Sequence, residues 1–488
     1  MEDTYQPPLP NPKPAPALVM KFGGTSIGTA EAMRRTVDII RDSRGTWPRL
    51  VVVVSALATV TDLLLESAAR ASAGELLAAQ QAEKRLMDLH NSILAELVTD
   101  PSWQAVALEG VQQLVNGFVE LCRAICVLGE ATPRALDAIA STGERLCVRV
   151  LAAALESAGT PAQYVDATRL IQTDRVFQRA HPDFTATARL ARQVLEPVFE
   201  RGQVVVVTGF IGATPEGVTT TLGRGGSDYS AAILGASLPA SEVWIWTDVD
   251  GVMTADPRSN ANARSIPELS FREISELAYF GAKVLHPKTI QPVIEAGLGL
   301  RICNTFHPDH PGTRIVANGE NRRSGEIKAV TAIHHQRLIT IEGRGMLGVP
   351  GVAARAFGAV ASTGTSVPLI TQASSEQSIC FAVPAESAVQ VLEALKEAFS
   401  LELAHRDIDR IWATGEVVIV TAVGAGMRQT IGVAGRLFSA IGERGVNVIA
   451  IAQGSSEVSI SLVVEDHDAP AAVQALHDLI INGRPGDK

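Results

Sequence analysis

The chain has 488 residues, of which 46% are hydrophobic and 19% charged, enough apolar material for two or three globular domains. Its net charge of −10 at pH 7 argues against nucleic acid or an anionic membrane surface as a partner. Five cysteines without CxxC spacing argue against a disulfide framework or a metal site, and indicate buried thiols in a reducing cytoplasm.

The N-terminal stretch, residues 1–17, is rich in proline and has neither a basic region nor the apolar region of a signal peptide. We expect a disordered extension there, with a partner-docking polyproline segment as the alternative. Further along the chain we expect no apolar run of the roughly 18–20 residues that a membrane-spanning helix needs.

From residue 18 to about 315, short β-branched runs alternate with longer helical patterns. Apolar runs without alternation predict buried parallel strands at Leu50–Val54, Val204–Val207 and Val243–Thr247. Helical spacing covers Ala30–Arg41, Gly143–Ala158 and most of Thr61–Ile125. This alternation predicts an α/β sheet covered by helices on both faces, with ligands at the carboxyl ends of its strands.

The C-terminal region, residues 325–488, contains an internal duplication. Residues 339–383 align without a gap onto residues 420–464, at a constant offset of 81, with Gly343/Gly424, Met346/Met427 and Gln372/Gln453 among the identical pairs. Each copy reads as strand, helix, strand, strand, helix, and the first has a further strand candidate at Leu401–His405 or Ile408–Trp412. Because the second copy lacks a last strand, we predict that residues 327–335 complete its sheet and that the copies are interleaved.

Two glycine loops stand out in the α/β region. One is Lys21-Phe22-Gly23-Gly24-Thr25-Ser26, and the other is Gly223-Arg224-Gly225-Gly226-Ser227-Asp228. Paired glycines let backbone N–H groups approach a phosphate closely, and a helix start behind the loop adds a positive dipole end. Neither loop has the P-loop or dinucleotide-binding pattern, so each signal is weak alone. Together, with their cationic side chains, they indicate phosphoryl transfer.

Further polar residues follow predicted strands or open predicted helices: Ser55, Thr61, Glu144, Thr247, Asp248, Asp256, Arg258 and Lys283. With these residues and both loops, the chain resembles the aspartate kinases of the amino-acid kinase superfamily, over about residues 18–480. The duplicated region resembles their paired ACT domains. The resemblance implies an α/β/α kinase domain at 18–315, a largely parallel sheet, and two interleaved βαββαβ ACT domains, about 337–415 and 416–482 plus strand 327–335.

The resemblance also implies a reaction, in which ATP with Mg²⁺ phosphorylates L-aspartate to 4-phospho-L-aspartate. Lys21 would stabilise charge on the transferring phosphoryl group, with Gly23 and Gly24 as backbone donors, and Asp228 would orient Lys21. For substrate binding, Arg224 would pair with the α-carboxylate, Glu144 would receive the ammonium, and Ser55 and Thr61 would donate hydrogen bonds. The remaining ATP-binding positions would be Thr247, Asp248, Asp256, Arg258 and Lys283, and no residue is assigned to a resident metal.

Each assignment has a structural alternative. Arg224 and Asp228 could form an ion pair that only stabilises the loop, and Asp256 with Arg258 could be a surface turn pair. Glu144 could be a helix-start charge, and Ser55 and Thr61 could be capping hydroxyls. The ten scattered histidines indicate structural roles.

The ACT resemblance implies feedback control by an amino acid, with Gln372 and Gln453 as the effector contacts. Pro368 stands where the lysine-responsive branch often has an acidic residue, which favours threonine over lysine. Glutamines that merely end a strand in solvent are the structural alternative. Paired ACT domains also imply a homodimer or homotetramer.

Two other functions remain open from the residues alone. One is a kinase of a different amino acid, such as glutamate, and the other is a catalytically silent amino-acid sensor. The sequence contains no dehydrogenase part of the kind fused to some threonine-responsive kinases, so we expect a stand-alone kinase or a shortened chain.

Overall fold

The computed structural model describes residues 15–281, 285, 287–317, 326–346, 349–372, 377–427, 430–453 and 458–482. The described residues form two compact units, one within residues 1–251 and 285–317 and the other within 252–284 and 318–488. Residues 1–14 of the expected N-terminal extension and Lys283 lie outside the described residues, whereas Ala17, the expected end of that extension, is the buried first residue of a strand.

The strands, in chain order, are β1 Ala17–Phe22, β2 Arg49–Val54, β3 Ala162–Val165, β4 Val204–Thr208, β5 Ile211–Ala213, β6 Thr219–Thr221, β7 Glu242–Thr247, β8 Glu268–Ser270, β9 Gly299–Asn304, β10 Thr313–Val316, β11 Ala329–Glu342, β12 Leu369–Gln372, β13 Ser378–Pro384, β14 Arg410–Ala413, β15 Val417–Val423, β16 Ala450–Ala452 and β17 Ser459–Glu465. The predicted strands at 50–54, 204–207 and 243–247 are thus confirmed, each within a residue or two.

The helices are α1 Gly24–Ile27, α2 Ala30–Arg44, α3 Val60–Ser72, α4 Leu77–Leu97, α5 Pro101–Leu128, α6 Pro133–Ala140, α7 Thr142–Ser157, α8 Phe184–Glu200, α9 Gly226–Ser237, α10 Phe271–Tyr279, α11 Pro287–Glu295, α12 Val352–Ser362, α13 Ala388–Ala398, α14 Ser400–His405, α15 Val433–Glu443 and α16 Ala469–Asn482. The long helical region expected at 61–125 is three helices, α3, α4 and α5.

In the first unit, seven strands form a sheet in the order β3-β4-β2-β1-β7-β9-β10, parallel except for β10. Every residue of β2 is buried, as a strand covered on both faces requires. Helices α2 and α7 pack against one face of the central strands, whereas α8 and α9 pack against the other. The predicted three-layer α/β/α class with a largely parallel sheet is confirmed.

Helix α5 departs from one expectation. By length and composition alone it is the one described helix that could cross a membrane, with a mean hydropathy of 1.3 over its most apolar window. Its apolar stripe, which includes Val111, Phe118 and Ile125, is buried in the core of the first unit. Packing against α3, α4 and α7 therefore accounts for this stripe.

In the second unit, one long strand serves both copies of the duplication. The first half of β11, Ala329–Ile333, pairs with β15 of the second copy, and the second half, Gln336–Glu342, pairs with β13 of the first. The predicted interleaving is thereby confirmed. The last strand of the first copy is β14, close to the second of the two candidates, whereas Leu401–His405 is helical.

The two halves of β11 meet at a β-bulge. The register shifts between Ile333 and Gln336, and His335 takes a positive φ of 56°. The buried Gln336 side chain holds this bulge, because its amide donates to the carbonyls of His334 and His335, each at 3.1 Å. The bulge shifts the register within β11, so that its first half pairs with the second copy and its second half pairs with the first copy.

Residues 252–284, which we expect within the catalytic domain, pack inside the second unit. Lys328, just before β11, places its Nζ 2.6 and 2.8 Å from the two carboxylate oxygens of the fully buried Glu273 of α10. Ser459 donates a 2.7 Å hydrogen bond to Glu276 of the same helix, and Thr254 Oγ1 lies 2.8 Å from His477 Nε2 on α16. The domain boundaries themselves remain a prediction.

All five cysteines are free of disulfides. Cys122, Cys147 and Cys303 are buried, and Cys126 and Cys380 are half-buried. Burial raises the pKa of the Cys122 thiol to about 11, so this sulfur stays protonated at neutral pH.

The buried pair Lys328–Glu273 yields a stability prediction. Lys328→Met should lower the free energy of unfolding of the second unit by about 3 kcal/mol, because it removes the Lys328 ammonium from a buried carboxylate. Urea unfolding followed by circular dichroism measures this loss. As a control, Arg444→Met breaks the exposed 2.6 Å pair with Asp478 and should cost under about 1 kcal/mol. Equal losses in the two variants would contradict the prediction.

Candidate active site

A cavity of about 600 Å³ opens at the carboxyl-end edge of the parallel sheet in the first unit. It brings together the residues predicted for catalysis and for substrate binding: Lys21, Ser55, Thr61, Glu144, Arg224 and Asp228. These side chains come from separate parts of the chain, so the topology assembles the site.

An ion pair in this cavity joins the two glycine loops. Lys21, near the end of β1, places its Nζ 2.6 Å from Asp228 Oδ1 in the first turn of α9. Both side chains are mostly buried, with 12% and 16% of their surface exposed. The pair fixes the lysine ammonium at the cavity wall, where it can face a second anion.

The first glycine loop turns sharply after β1. The Gly23 N–H donates to the Trp246 carbonyl at 3.3 Å, and a Cβ on Gly24 would lie 3.1 Å from the Ala56 carbonyl. A larger residue at 24 would therefore push the loop away from the segment that carries Ser55. Ser26 is buried and receives a 2.7 Å hydrogen bond from Thr305.

Glu144, in the first turn of α7, is 97% buried and faces this cavity. Its Oε2 has no hydrogen-bond partner among the described residues. Burial raises the pKa of this carboxyl to about 7, although backbone hydrogen bonds from Ala56 and from Glu144 itself partly offset the shift. A buried, unpartnered carboxylate of this kind is suited to receiving a cation.

Arg224 lies exposed at the rim of the cavity, on the second glycine loop. Gly223 and Gly225 flank it with φ of 77° and 72°, values that favour glycine. The loop then enters the 12-residue helix α9, whose N-cap is Gly225. Arg224 thus lies at a helix N-terminus, where both the guanidinium charge and the helix dipole favour an anion.

The predicted ATP-binding residues are only partly brought together. Thr247 ends β7, the neighbour of β1, and its hydroxyl donates to the exposed Asp248 at 3.1 Å. Asp256 and Arg258 form an exposed 2.6 Å ion pair in the second unit.

Several cavity residues were missed by the sequence reasoning: Asp62, Asp137, Gln178, Phe210, Thr221 and Ser227. Asp62 lies next to Thr61, and Ser227 lies inside the second glycine loop, so their positions gave a signal. Asp137 and Gln178 are in no motif, and only the fold brings them to the cavity.

The predicted effector residues line two equivalent cavities in the second unit. Gln372 lines a cavity of about 330 Å³ at the start of α12, with Met346 and Val352 among its neighbours. Gln453 lines one of about 450 Å³ at the start of α15, with Met427 and Val433 at the corresponding positions. Both glutamines are exposed and lie at or just beyond the end of a strand.

No group of three or more His, Cys, Asp or Glu side chains that could hold a metal occurs in the part of the chain that the structure describes.

Comparison with known proteins identifies two families that match this chain. Residues 16–304 match the amino acid kinase family, and residues 339–399 and 420–479 match the ACT domain. Lysine-sensitive aspartokinase 3 of Escherichia coli is 32% identical over 94% of this chain and 98% of its own length. The chloroplastic bifunctional aspartokinase/homoserine dehydrogenase 1 of Zea mays is 37% identical over 94% of this chain and 50% of its own. The chain thus spans about half the length of the bifunctional relatives it matches.

Two solved aspartokinase structures share the fold of this chain. Aspartokinase III of Escherichia coli, in complex with aspartate and ADP, superposes with a TM-score of 0.78 at 30% identity, covering 95% of this chain and all of that one. The same protein with lysine and aspartate gives a TM-score of 0.75 at 31% identity, over 95% and 99% of the two chains. From the family matches, the nearly full-length similarity and the shared fold, we conclude that this chain belongs to the amino acid kinase family and, within it, to the aspartokinases.

Proposed function

We propose that this chain transfers the γ-phosphoryl group of ATP to the side-chain carboxylate of L-aspartate and is feedback-regulated by an amino acid. One observation carries the catalytic part: a single cavity holds a fixed ammonium, an exposed guanidinium and a buried carboxylate without a partner. These groups complement a phosphoryl group, an α-carboxylate and an α-ammonium in turn. The similar aspartokinase III binds aspartate and ADP.

Recognition of aspartate follows from charge. Arg224 can receive the α-carboxylate through two parallel N–H donors, a fit that a lysine would not reproduce. Glu144 receives the ammonium, which gives its unpartnered Oε2 a donor. Ser55 and Thr61 line the same cavity and supply hydroxyls to the substrate.

The transfer itself needs little covalent assistance. An oxygen of the aspartate β-carboxylate bonds to the γ-phosphorus, and the bond from that phosphorus to the β–γ bridging oxygen breaks, which releases ADP. No proton has to be removed, because the β-carboxylate is already ionised at pH 7. Lys21 offsets the charge that builds up on the transferring group, while Asp228 holds the lysine in place.

The nucleotide enters as MgATP, with the metal as part of the substrate. Its phosphates bind the Gly24 N–H and the Lys21 ammonium, whereas the Gly23 N–H, also predicted as a donor, is already bonded to the Trp246 carbonyl. Thr247 ends the neighbouring strand and Asp248 follows it, which supports a nucleotide site at this edge of the sheet. Asp256, Arg258 and Lys283 complete the proposed set.

For regulation, we assign the effector to the cavities at Gln372 and Gln453, and threonine as its identity. The absence of an acidic residue at Pro368 supports threonine, as does the higher identity to bifunctional aspartokinase/homoserine dehydrogenases than to the lysine-sensitive enzyme. Lysine is the second candidate, because a lysine-bound aspartokinase III shares the fold over nearly the whole chain. The enzyme would act in the cytoplasm as a homodimer or homotetramer formed through its ACT domains.

The primary test is a coupled ADP-release assay with MgATP and either L-aspartate or L-glutamate. Lys21→Ala should lower kcat with aspartate by at least about 1,000-fold, because it removes the cation that stabilises the transferring group. Lys84→Ala changes an exposed lysine of α4 and should keep wild-type turnover. Wild-type turnover in Lys21→Ala would contradict the catalytic role of Lys21. Preferential turnover of glutamate would identify glutamate, and not aspartate, as the substrate.

Glu144 predicts a pH dependence. With its pKa raised to about 7, the carboxyl is neutral below that pH and ionised above it, and only the ionised form pairs with ammonium. At saturating MgATP, kcat/KM for aspartate should therefore fall about tenfold between pH 8 and pH 6.

Glu144→Gln is the matched control for this profile. It should lower kcat/KM by about 100-fold and remove the step, since an amide does not titrate in this range. A flat wild-type pH profile, or a pH step that Glu144→Gln retains, would show that another residue recognises the ammonium.

Gln372 predicts the regulatory behaviour. Gln372→Ala should raise the threonine concentration for half-inhibition by at least about tenfold and leave KM for aspartate unchanged, because it removes an effector contact outside the catalytic unit. Inhibition curves with threonine and with lysine measure this. Gln390→Ala alters an exposed glutamine of α13 and serves as the control. Unaltered inhibition in Gln372→Ala would show that the effector binds elsewhere. Inhibition by lysine alone would identify lysine as the effector.

A further inference from the structure

One buried carboxylate beside the active-site cavity has no part in the roles above. Asp137 lies on α6, is 99% buried, and lines the cavity. Its two oxygens accept hydrogen bonds from the Gln178 N–H at 3.1 and 3.0 Å, from the Thr221 N–H at 2.9 Å and from the Thr221 hydroxyl at 2.7 Å. It therefore joins two chain segments that are 43 residues apart in sequence, at 178 and 221.

Both segments adjoin the Arg224 loop. Thr221 is the last residue of β6, three residues before Arg224. Gln178 has a positive φ of 68°, which is unfavourable for a residue with a side chain, and its carbonyl would lie only 2.9 Å from a Cβ on Gly223. The carboxylate thus holds a strained backbone tightly against the base of the glycine loop.

A second bond ties the same strand to the next helix. Arg145, adjacent to Glu144 on α7, donates to the Thr219 hydroxyl at 3.1 Å and to Asp166 at 2.6 Å. Thr219 and Thr221 lie on one side of β6, whereas Thr220 points the other way and pairs with Thr173 at 2.7 Å. One side of β6 is therefore bound to α6 and α7, the helices that lead to and carry Glu144.

The burial and hydrogen bonding of Asp137 favour a rigid connection between the segments at 178 and 221. Burial raises the pKa of Asp137, and the hydrogen bonds from Gln178 and Thr221 oppose that shift by stabilising the charged form. Breaking one of these bonds leaves a poorly solvated carboxylate short of a donor, so the segments it joins would separate or shift.

We propose that Asp137 is a positioning residue, which fixes the Arg224 loop relative to Glu144 and so sets the spacing between the groups that bind the α-carboxylate and the ammonium of the substrate. This inference rests on the proposed function. The spacing matters because aspartate binds through both charged ends at once, so a displaced Arg224 loop loses part of its contact with the α-carboxylate and weakens substrate binding.

The test compares two neighbouring threonines on the full chain. Thr221→Val removes only the hydroxyl bonded to Asp137, and Thr220→Val removes only the one bonded to Thr173. Thr221→Val should raise KM for aspartate about tenfold, with kcat within about threefold and KM for MgATP unchanged. Thr221→Ser, which keeps the hydroxyl, should restore KM. Thr220→Val should leave KM for aspartate within about twofold.

The outcomes separate the claims. Equal effects of the two valine variants, or a fall in kcat at constant KM, would show that Thr221 is merely structural and overturn the inference while the proposed function stands. A wild-type enzyme inert toward aspartate would overturn both. If Thr221→Val does not fold, Asp137→Asn is measured instead, since its amide would place a donor against donors, with the same KM signature expected. Failure of both to fold would overturn the positioning role.

Discussion

The in-register ending of the parallel strands is the constraint on which the catalytic unit depends. Phe22 of β1 pairs with Val54 of β2 and with Trp246 of β7, and Val54 pairs in turn with Thr208 of β4. The next residue of each strand still bonds across, as Ser55 does to the Phe22 carbonyl and Gly209 to the Val54 carbonyl. The segments after β1, β2 and β4 therefore leave the sheet at one level, and their first residues are Gly23, Ser55 and Gly209, whereas β7 runs one residue further to Thr247.

That crowding explains the residue types at this edge. A Cβ on Gly209 would lie 2.7 Å from the Ser227 side chain, and one on Gly143 would lie 2.7 Å from the Ala56 Cβ. Larger side chains would separate the loops that carry Ser55, Glu144 and the second glycine loop. These two glycines thus serve close packing, and the charged groups come together because the backbone permits it.

The sequence predicts most of this architecture, because its signals are local. Lys21 and Asp228 lie in motifs beside strand and helix starts, and the 81-residue offset exposes the duplication. Even the long-range pairing of 329–333 with the second copy could be predicted, since each copy needs the same number of strands. Asp137 could not, because its partners Gln178 and Thr221 are distant in sequence and only tertiary folding brings their N–H groups together. Nor does composition tell that residues 252–284 pack with the second unit.

Selectivity in such a site depends more on the polar groups that a wrong ligand leaves unpaired than on the bonds that the right ligand forms. Glu144 is buried with an oxygen that lacks a donor, whereas Arg224 is exposed and can be solvated. A molecule without an ammonium would leave this carboxylate desolvated, and protonation at a pKa of about 7 relieves only part of that cost. Arg224 can bind any carboxylate, but a ligand must bring both charges at the correct separation to satisfy Glu144 as well. In the proposed function, the buried acid selects an amino acid over a plain dicarboxylate, and the spacing to Arg224 determines which amino acid fits.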